Sequence, residues 1–315
     1  LTEEQKKKYR LLDNKTSEFA EWDIDKLTEE LEGLDFDGFD FGFDLDEPLE
    51  ANTEPDEDID DIEGIDTEKE PMSHIGQIYK LGKHRLMCGD STNAEMVDKL
   101  INGIKVDMVF TDPPYGMNLD TDYQSMQGFG NGNTYEQGKV DEFHPEMVDA
   151  ALSIDAAEVF LWGADYFAEL IPDKNDGSWI VWDKRANGND DIEQDYSSDK
   201  MYGSCFELCW IKNKHKRDIA RVKWCGIFGL NGEFDAKRHH PTQKPIALAK
   251  WFIDRYSHDK DVIVDLFGGS GTTLLAAEMS NRQCSMMEYD PHYVDVIISR
   301  WEKYTGLKAE LIEGE

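Results

Sequence analysis

No run of about eighteen apolar residues occurs in the chain, so no stretch has the length of a membrane-spanning helix, and no secretion signal opens it. A cytoplasmic protein is expected. Paired cysteines are also missing. Cys88, Cys205, Cys209, Cys225 and Cys284 form an odd set without C-x-x-C spacing. This excludes a disulfide framework and favours reduced, mostly core thiols, with a metal site through Cys205, Cys209 and Cys225 as the minor alternative. No internal repeat is present, which excludes a solenoid. Positive charge is scarce: 33 Lys and Arg stand against 67 Asp and Glu, a formal net charge of −34 over 315 residues. Any contact with a phosphate backbone would have to come from a local basic surface.

The acidic excess is uneven. Between Glu18 and Glu70 there are 24 Asp or Glu against two Lys, a net of −22 that leaves −12 for the rest. Residues 1–34 show helical periodicity in two pieces, 8–19 and 24–31, with Trp22 between them. Residues 35–44 alternate acids with phenylalanines, and 46–70 are densely acidic and poor in apolar side chains, a composition expected to be disordered. The acids do not follow EF-hand spacing, so a calcium loop is not expected.

From about residue 75 the pattern changes to alternating strands and helices. The organising stretch is Thr111-Asp112-Pro113-Pro114-Tyr115, after the apolar run Val106, Met108, Val109, Phe110. The run reads as a buried parallel strand that the paired prolines end, leaving Asp112 and Tyr115 at a carboxyl end, where open α/β sheets bind ligands. Asp-Pro-Pro is also ordinary turn chemistry. A second stretch, Val262-Ile263-Val264-Asp265-Leu266-Phe267 followed by Gly268-Gly269-Ser270-Gly271-Thr272-Thr273, reads as strand, glycine-rich turn and helix start. About twenty residues past the first glycine, the next strand ends in Glu288, placed to take ribose hydroxyls. A nucleoside cofactor fits better than a dinucleotide, because Leu274 stands where a third glycine belongs.

Together these stretches resemble the amino-group DNA methyltransferases that use S-adenosylmethionine. Asp112-Pro113-Pro114-Tyr115 looks like their catalytic tetrapeptide, and Phe267-Gly268-Gly269-Ser270-Gly271 looks like their cofactor loop. The catalytic motif comes first, which is the permuted order of the β group. A third match, His240-Pro241-Thr242-Gln243-Lys244-Pro245, lies just upstream of the cofactor strand. The resemblance covers residues 74–315. It implies a Rossmann-like α/β fold with a mixed, mostly parallel sheet flanked by helices, behind an acidic N-terminal extension. It also implies S-adenosylmethionine contacts at Asp265, Phe267, Gly268, Gly269, Gly271 and Glu288. Asp90, in the Gly89-Asp90-Ser91 turn, is either an adenine contact or a helix-capping residue. Thr242 and Lys244 are candidates for the cofactor's carboxylate.

The start resembles the end of a ParB-like domain, through Leu11-Leu12-Asp13-Asn14-Lys15 and Ala20-Glu21-Trp22-Asp23. The expected organisation is a helical remnant over 1–34, an acidic linker over 35–73, and a methyltransferase domain over 74–315. The chain opens on Leu1 rather than methionine, which fits a piece of a longer protein. The linker reads as a solvated spacer or as a segment competing with DNA for the basic surface.

Within the domain, the glycine-rich residues 116–140 lack periodicity and would form a flap over the target base or a disordered loop. Helices are expected over 94–101, capped near Ser91 or Thr92, over 144–154, 166–171, 245–256 and 292–304, and strands over 157–162, 179–182 and 205–211, the last near a sheet edge. Lys212, Lys214, Lys216, Arg217, Arg221 and Lys223 fall within twelve residues, flanked by Trp210 and Trp224, with Lys237-Arg238 beyond. Basic charge interleaved with aromatics suits a phosphate-contacting surface over 212–240.

Transfer to an exocyclic amine needs acceptors that draw on its N–H groups, so Asp112 and the Pro113 carbonyl would take those bonds while Tyr115 stacks on a flipped-out base. None of the ten prolines precedes a cysteine, so the Pro-Cys chemistry of cytosine carbon-5 methylation is absent. Adenine N6 of double-stranded DNA is the expected target. Cytosine N4, an RNA substrate and an inactive DNA-binding relative are the alternatives. A bacterial or phage-encoded protein fits, with a homodimer and a cognate nuclease left open.

Overall fold

In a computed structural model, the described residues are 70–115, 143–184, 204–222 and 244–314. The first 69 residues, the expected flap, Lys223, Cys225 and the stretch from His240 to Gln243, including Thr242, lie outside them.

Ten strands form one sheet among the described residues. In chain order they are β1 (Ile78–Leu81), β2 (His84–Cys88), β3 (Val106–Thr111), β4 (Ala156–Trp162), β5 (Ser178–Asp183), β6 (Phe206–Ile211), β7 (Asp218–Arg221), β8 (Val262–Asp265), β9 (Gln283–Glu288) and β10 (Glu310–Glu313). Across the sheet the order is β10-β1-β2-β9-β8-β3-β4-β6-β5-β7. The five neighbours β2, β9, β8, β3 and β4 run parallel, and β6 runs antiparallel between β4 and β5. The sheet is mixed, as expected. The strand over 205–211 is interior rather than near an edge, because its last three residues are buried between β4 and β5.

Among the described residues five α-helices accompany the strands: α1 (Ala94–Ile101), α2 (Pro145–Ser153), α3 (Ile246–Tyr256), α4 (Thr272–Met279) and α5 (Pro291–Thr305). Along β3 the side chains divide: Met108 and Phe110, two residues apart, join the core with α3, α4 and α5, while Val109 between them joins the one with α1 and α2, as does Val106 at the strand's start. Phe252 of α3 packs 5.3 Å from Phe110, 5.4 Å from Phe160 and 5.3 Å from Trp162, ring centre to ring centre. The chain leaves β8 for β9 through α4 on one face and β3 for β4 through α2 on the other. β8 and β3 are therefore the switch point of the sheet, and a crevice opens at their carboxyl ends.

Several local expectations need correction. Helix α1 is capped by Asn93, whose side chain accepts from the backbone of Glu95 (3.0 Å) and Met96 (3.3 Å), so Ser91 and Thr92 do not serve. The stretch 166–171 supplies only a 3-10 turn, Ala168–Leu170. Strands β7 and β10 were not anticipated. Ser73, at the end of the expected linker, is fully buried, and its hydroxyl donates to Asp295 (2.6 Å).

One buried polar cluster ties β2, α4 and α5 together. The Cys284 backbone N–H donates to His84 Nδ1 (2.9 Å), so His84 carries its proton on Nε2 and donates it to Glu278 (2.8 Å). Trp301 Nε1 also donates to Glu278 (2.9 Å). The His84 bond above all, aided by Trp301 and Lys83 and opposed by burial, holds the Glu278 carboxyl down at about 2. Glu278→Gln should therefore cost about 1–3 kcal/mol of stability at neutral pH. Because the folded value is depressed, the native protein's advantage over this variant exists above about pH 4.5 and disappears as pH falls toward 2. Chemical denaturation of both proteins across that range checks the sign.

Candidate active site

The tetrapeptide Asp112–Tyr115 and the glycine loop lie side by side because Thr111 and Asp265 close their strands. The Thr111 hydroxyl donates to Asp265 Oδ1 (2.8 Å) and accepts the Leu266 backbone N–H (3.1 Å). Asp265 also accepts from Phe267 N–H (3.1 Å). Burial pushes the Asp265 carboxyl up to about 7 despite these bonds.

Beyond Phe267, the three glycines do different things. A Cβ on Gly268 would strike Met286 at 2.8 Å, and one on Gly271, at φ +87°, would press on Ile297 at 3.0 Å, so both permit close packing inside the protein. A Cβ on Gly269 would meet nothing within 4 Å. Only Gly269 borders open space. Its N–H donates to Glu288 Oε2 (2.7 Å), and Asp290 N–H donates to Glu288 Oε1 (2.8 Å). Burial raises the Glu288 carboxyl to about 7. Asp90 lies beside Glu288, since Gly89 N–H donates to the Glu288 carbonyl (2.9 Å). Asp90 accepts from the Thr92 N–H (2.8 Å) and hydroxyl (2.7 Å), so it shapes the turn and does not cap α1.

Asp112 is half-buried, with both oxygens engaged: the Tyr115 hydroxyl donates to Oδ1 and Lys244 Nζ to Oδ2. The structure thus brings Lys244 to the Asp112 carboxylate, whereas the sequence reading put it on the cofactor's. Only its carbonyl reaches the cofactor loop side, accepting from the Thr272 hydroxyl (3.1 Å). Burial pulls the Lys244 ammonium down, but Asp112 and Glu207 outweigh it and leave it raised. Burial, then Asp112 and Glu207, hold the Tyr115 phenol far above its usual range, so it remains a donor.

The Tyr115 ring rests on Gly163, at the end of β4, and stacks on Tyr166 with centres 5.2 Å apart and planes 10° off parallel. Tyr166 is 58% exposed at the mouth of the crevice. Gly163, Tyr166, Glu207 and Lys184 were missed by sequence reasoning. The available signal for Glu207 was an acid on the inward phase of an alternating strand.

The basic cluster does not hold together as a surface at this site. Strand β6 runs antiparallel, so the loop after it emerges at the amino ends of β4 and β5. There Lys212 N–H meets the Val159 carbonyl (3.0 Å) and His215 meets Glu158 (3.1 Å). Lys212, Lys214, Lys216 and Arg217 are exposed at that end, about 15–20 Å of strand from the crevice. Among the cluster's described residues, only Arg221, in register with Asp183 at the end of β7, returns to the end that carries Asp112. Cys88, Cys209 and Cys284 are buried free thiols, and no metal-binding cluster occurs among the described residues.

This arrangement, an acceptor carboxylate and an aromatic ring facing a glycine loop across a switch point, agrees with the family match. The chain belongs to the DNA methylase family of the N6/N4 type, which matches residues 106–299. YubD of Escherichia coli (strain K12), described as a methylase, is 28% identical over 58% of this chain and 75% of its own length. The Type II methyltransferase M.HpaI of Haemophilus parainfluenzae is 25% identical over 69% of this chain and 73% of its own length. The Type II methyltransferase M.PvuII of Proteus hauseri is 28% identical over 51% of this chain and 47% of its own length. Among solved structures, the M1.HpyAVI–SAM complex aligns with a TM-score of 0.44 at 20% identity, covering 68% of this chain and 97% of that one.

Gly163→Ala tests the seat of Tyr115. An added Cβ would lie 2.1 Å from the ring at a φ of +62°, so the ring must leave. The expected outcome is a loss of about 10- to 100-fold in turnover, with far-ultraviolet circular dichroism unchanged. Native turnover in this variant would show that the ring position does not matter.

Proposed function

We propose that the chain transfers a methyl group from S-adenosylmethionine to adenine N6 of a base flipped out of double-stranded DNA, as a permuted, β-group enzyme. The observation that carries this is Asp112 at the crevice, half-buried, held by a cation and facing the glycine loop. The open space at Gly269, the start of α4 and the carboxylates of Asp90 and Glu288 fit a nucleoside sulfonium, with Thr242 of the neighbouring motif as a further contact. When bound, the cofactor supplies an electrophilic methyl group on sulfur.

The protein's part is to aim the amine. An exocyclic amine delocalises its lone pair into the ring, so it attacks poorly. In this reading the entering amine displaces the Tyr115 hydroxyl from Asp112 Oδ1 and gives its second N–H to the Pro113 carbonyl, which turns its lone pair toward the methyl. With the cofactor bound, transfer of its methyl to the nitrogen would leave the S–C electron pair on sulfur, and Asp112 would pass the nitrogen's surplus proton to water. Asp112 sits where positive charge develops, so it favours the transition state over the ground state. Tyr115, released from Asp112, stacks on the base, worth about 1–3 kcal/mol for contacts of this kind. Arg221, at the catalytic end, is the described basic residue placed to meet DNA phosphate.

Asp rather than Ser at the head of the tetrapeptide favours adenine. Cytosine N4 is the second reading, because the same acceptors fit either amine and the PvuII structure carries the words "cytosine-N4-specific".

Asp112→Ala should lower methyl transfer to duplex DNA by at least about 1,000-fold while S-adenosylmethionine binding by calorimetry stays within a few-fold. Transfer that survives this substitution would overturn the assignment, and loss of both activities together would make Asp112 structural.

A further inference from the structure

Beside Asp112 lies a run of alternating charges that neither motif accounts for. Lys184, after β5, pairs with Glu207 Oε1; Glu207 Oε2 lies 3.4 Å from Lys244 Nζ; Lys244 bonds Asp112. The register of the sheet builds this. Glu207 sits opposite Trp182, in phase with Cys209 and Ile211, on the face that packs against α3. Lys244 immediately precedes the cap of that helix. Each ammonium rests on an indole, Lys244 at 5.1 Å from Trp162 and Lys184 at 4.9 Å from Trp182, and the two indoles meet edge-on at 6.0 Å. The side chains of Lys244 and Lys184 are only 12% and 15% exposed. Water therefore screens these charges poorly, and their balance matters.

We propose that Glu207 is a positioning residue for methyl transfer: by sharing the Lys244 ammonium it keeps Asp112 from being bound by that cation alone. The proposal rests on Asp112 being the amine acceptor. The two lysines, Glu207 and Asp112 sum to zero charge. Without the Glu207 carboxylate the group carries +1 beside a nitrogen that becomes positive during transfer, which opposes the reaction. The undivided ammonium also engages Asp112 more fully and reduces its capacity to accept the amine N–H. Lys244 and Lys184 already outweigh burial and keep the Glu207 carboxyl below its usual range.

The other ionisable groups near Asp112 are Tyr115, Cys209 on β6 and Asp265 at the end of β8. Tyr115 and Cys209 are held well above their usual ranges and stay protonated across the acid limb in every variant, and Glu207 is not among the groups that set Asp265.

The test is the pH profile of kcat on duplex DNA for Glu207→Gln, Glu207→Asp and Lys184→Met, with thermal melting and S-adenosylmethionine binding measured on each. Glu207→Gln should lose about 10- to 100-fold in kcat with KM for DNA within about twofold, and its acid limb should move to lower pH. Glu207→Asp keeps the charge and should recover most of kcat and the native limb. Lys184→Met leaves the group at −1 and should move the limb to higher pH, a readout that survives even if the glutamine variant does not fold. Native kcat in Glu207→Gln, equal losses in the Gln and Asp variants, or limbs that do not move in opposite directions would each overturn the proposal. An active Asp112→Ala enzyme would instead overturn the reading it rests on.

Discussion

The hydrogen bonds through the Thr111 hydroxyl hold the site together. Strands β3 and β8 are paired through Met108–Ile263 and Val109–Val264, and beyond that the Thr111 side chain takes over, bonded to Asp265 and to the Leu266 amide. Past this point the two chains diverge, one into Asp112 and the prolines, the other into the glycine turn. A buried carboxyl raised to about 7 is an unfavourable element on its own, and its retention here makes sense as the anchor of the glycine turn, since it also holds Phe267. The acceptor and the cofactor loop thus share one rigid support, and sub-ångström alignment between them costs little further ordering.

Charge is used differently in different parts of the molecule. The chain as a whole is strongly acidic, yet the Asp112 carboxylate is held by a nearly buried lysine stacked on tryptophan. Exposed ion pairs contribute little, whereas pairs withdrawn from water fix geometry at the cost of desolvation. The exposed lysines of the basic cluster, Lys212, Lys214 and Lys216, sit at the opposite end of the strands from Asp112. Proximity in sequence had grouped them with Arg221, and the reversal of β6 separates them.

The elements that were legible in the sequence are those whose residues dictate a local outcome. Buried strands β3, β8 and β9 are short and mostly apolar, the prolines after Thr111 end one of them, and the glycines after Phe267 permit a turn that other residues would obstruct. Strands β7 and β10 were not legible because they lie at the sheet edges, are short and carry mostly exposed side chains, so their partners define them. The cap of α1 was misplaced by one or two residues among four consecutive polar candidates, Asp90 to Asn93, where only the backbone geometry selects Asn93. Lys244 and Asp112 are 132 residues apart, and the motif containing Lys244 gave no sign that its side chain would turn to the tetrapeptide rather than the cofactor. Glu207 and Tyr166 were hidden in the same way, since their roles arise from strand register and from the packing of the β4 end.

The most direct measurement is to incubate the protein with methyl-labelled S-adenosylmethionine and unmethylated genomic DNA, digest the DNA to nucleosides and identify the labelled one by mass spectrometry. The account predicts label in N6-methyldeoxyadenosine. Label in N4-methyldeoxycytidine would contradict the choice of base while keeping the amine chemistry, and DNA without label, from protein shown to bind the cofactor, would contradict the account itself.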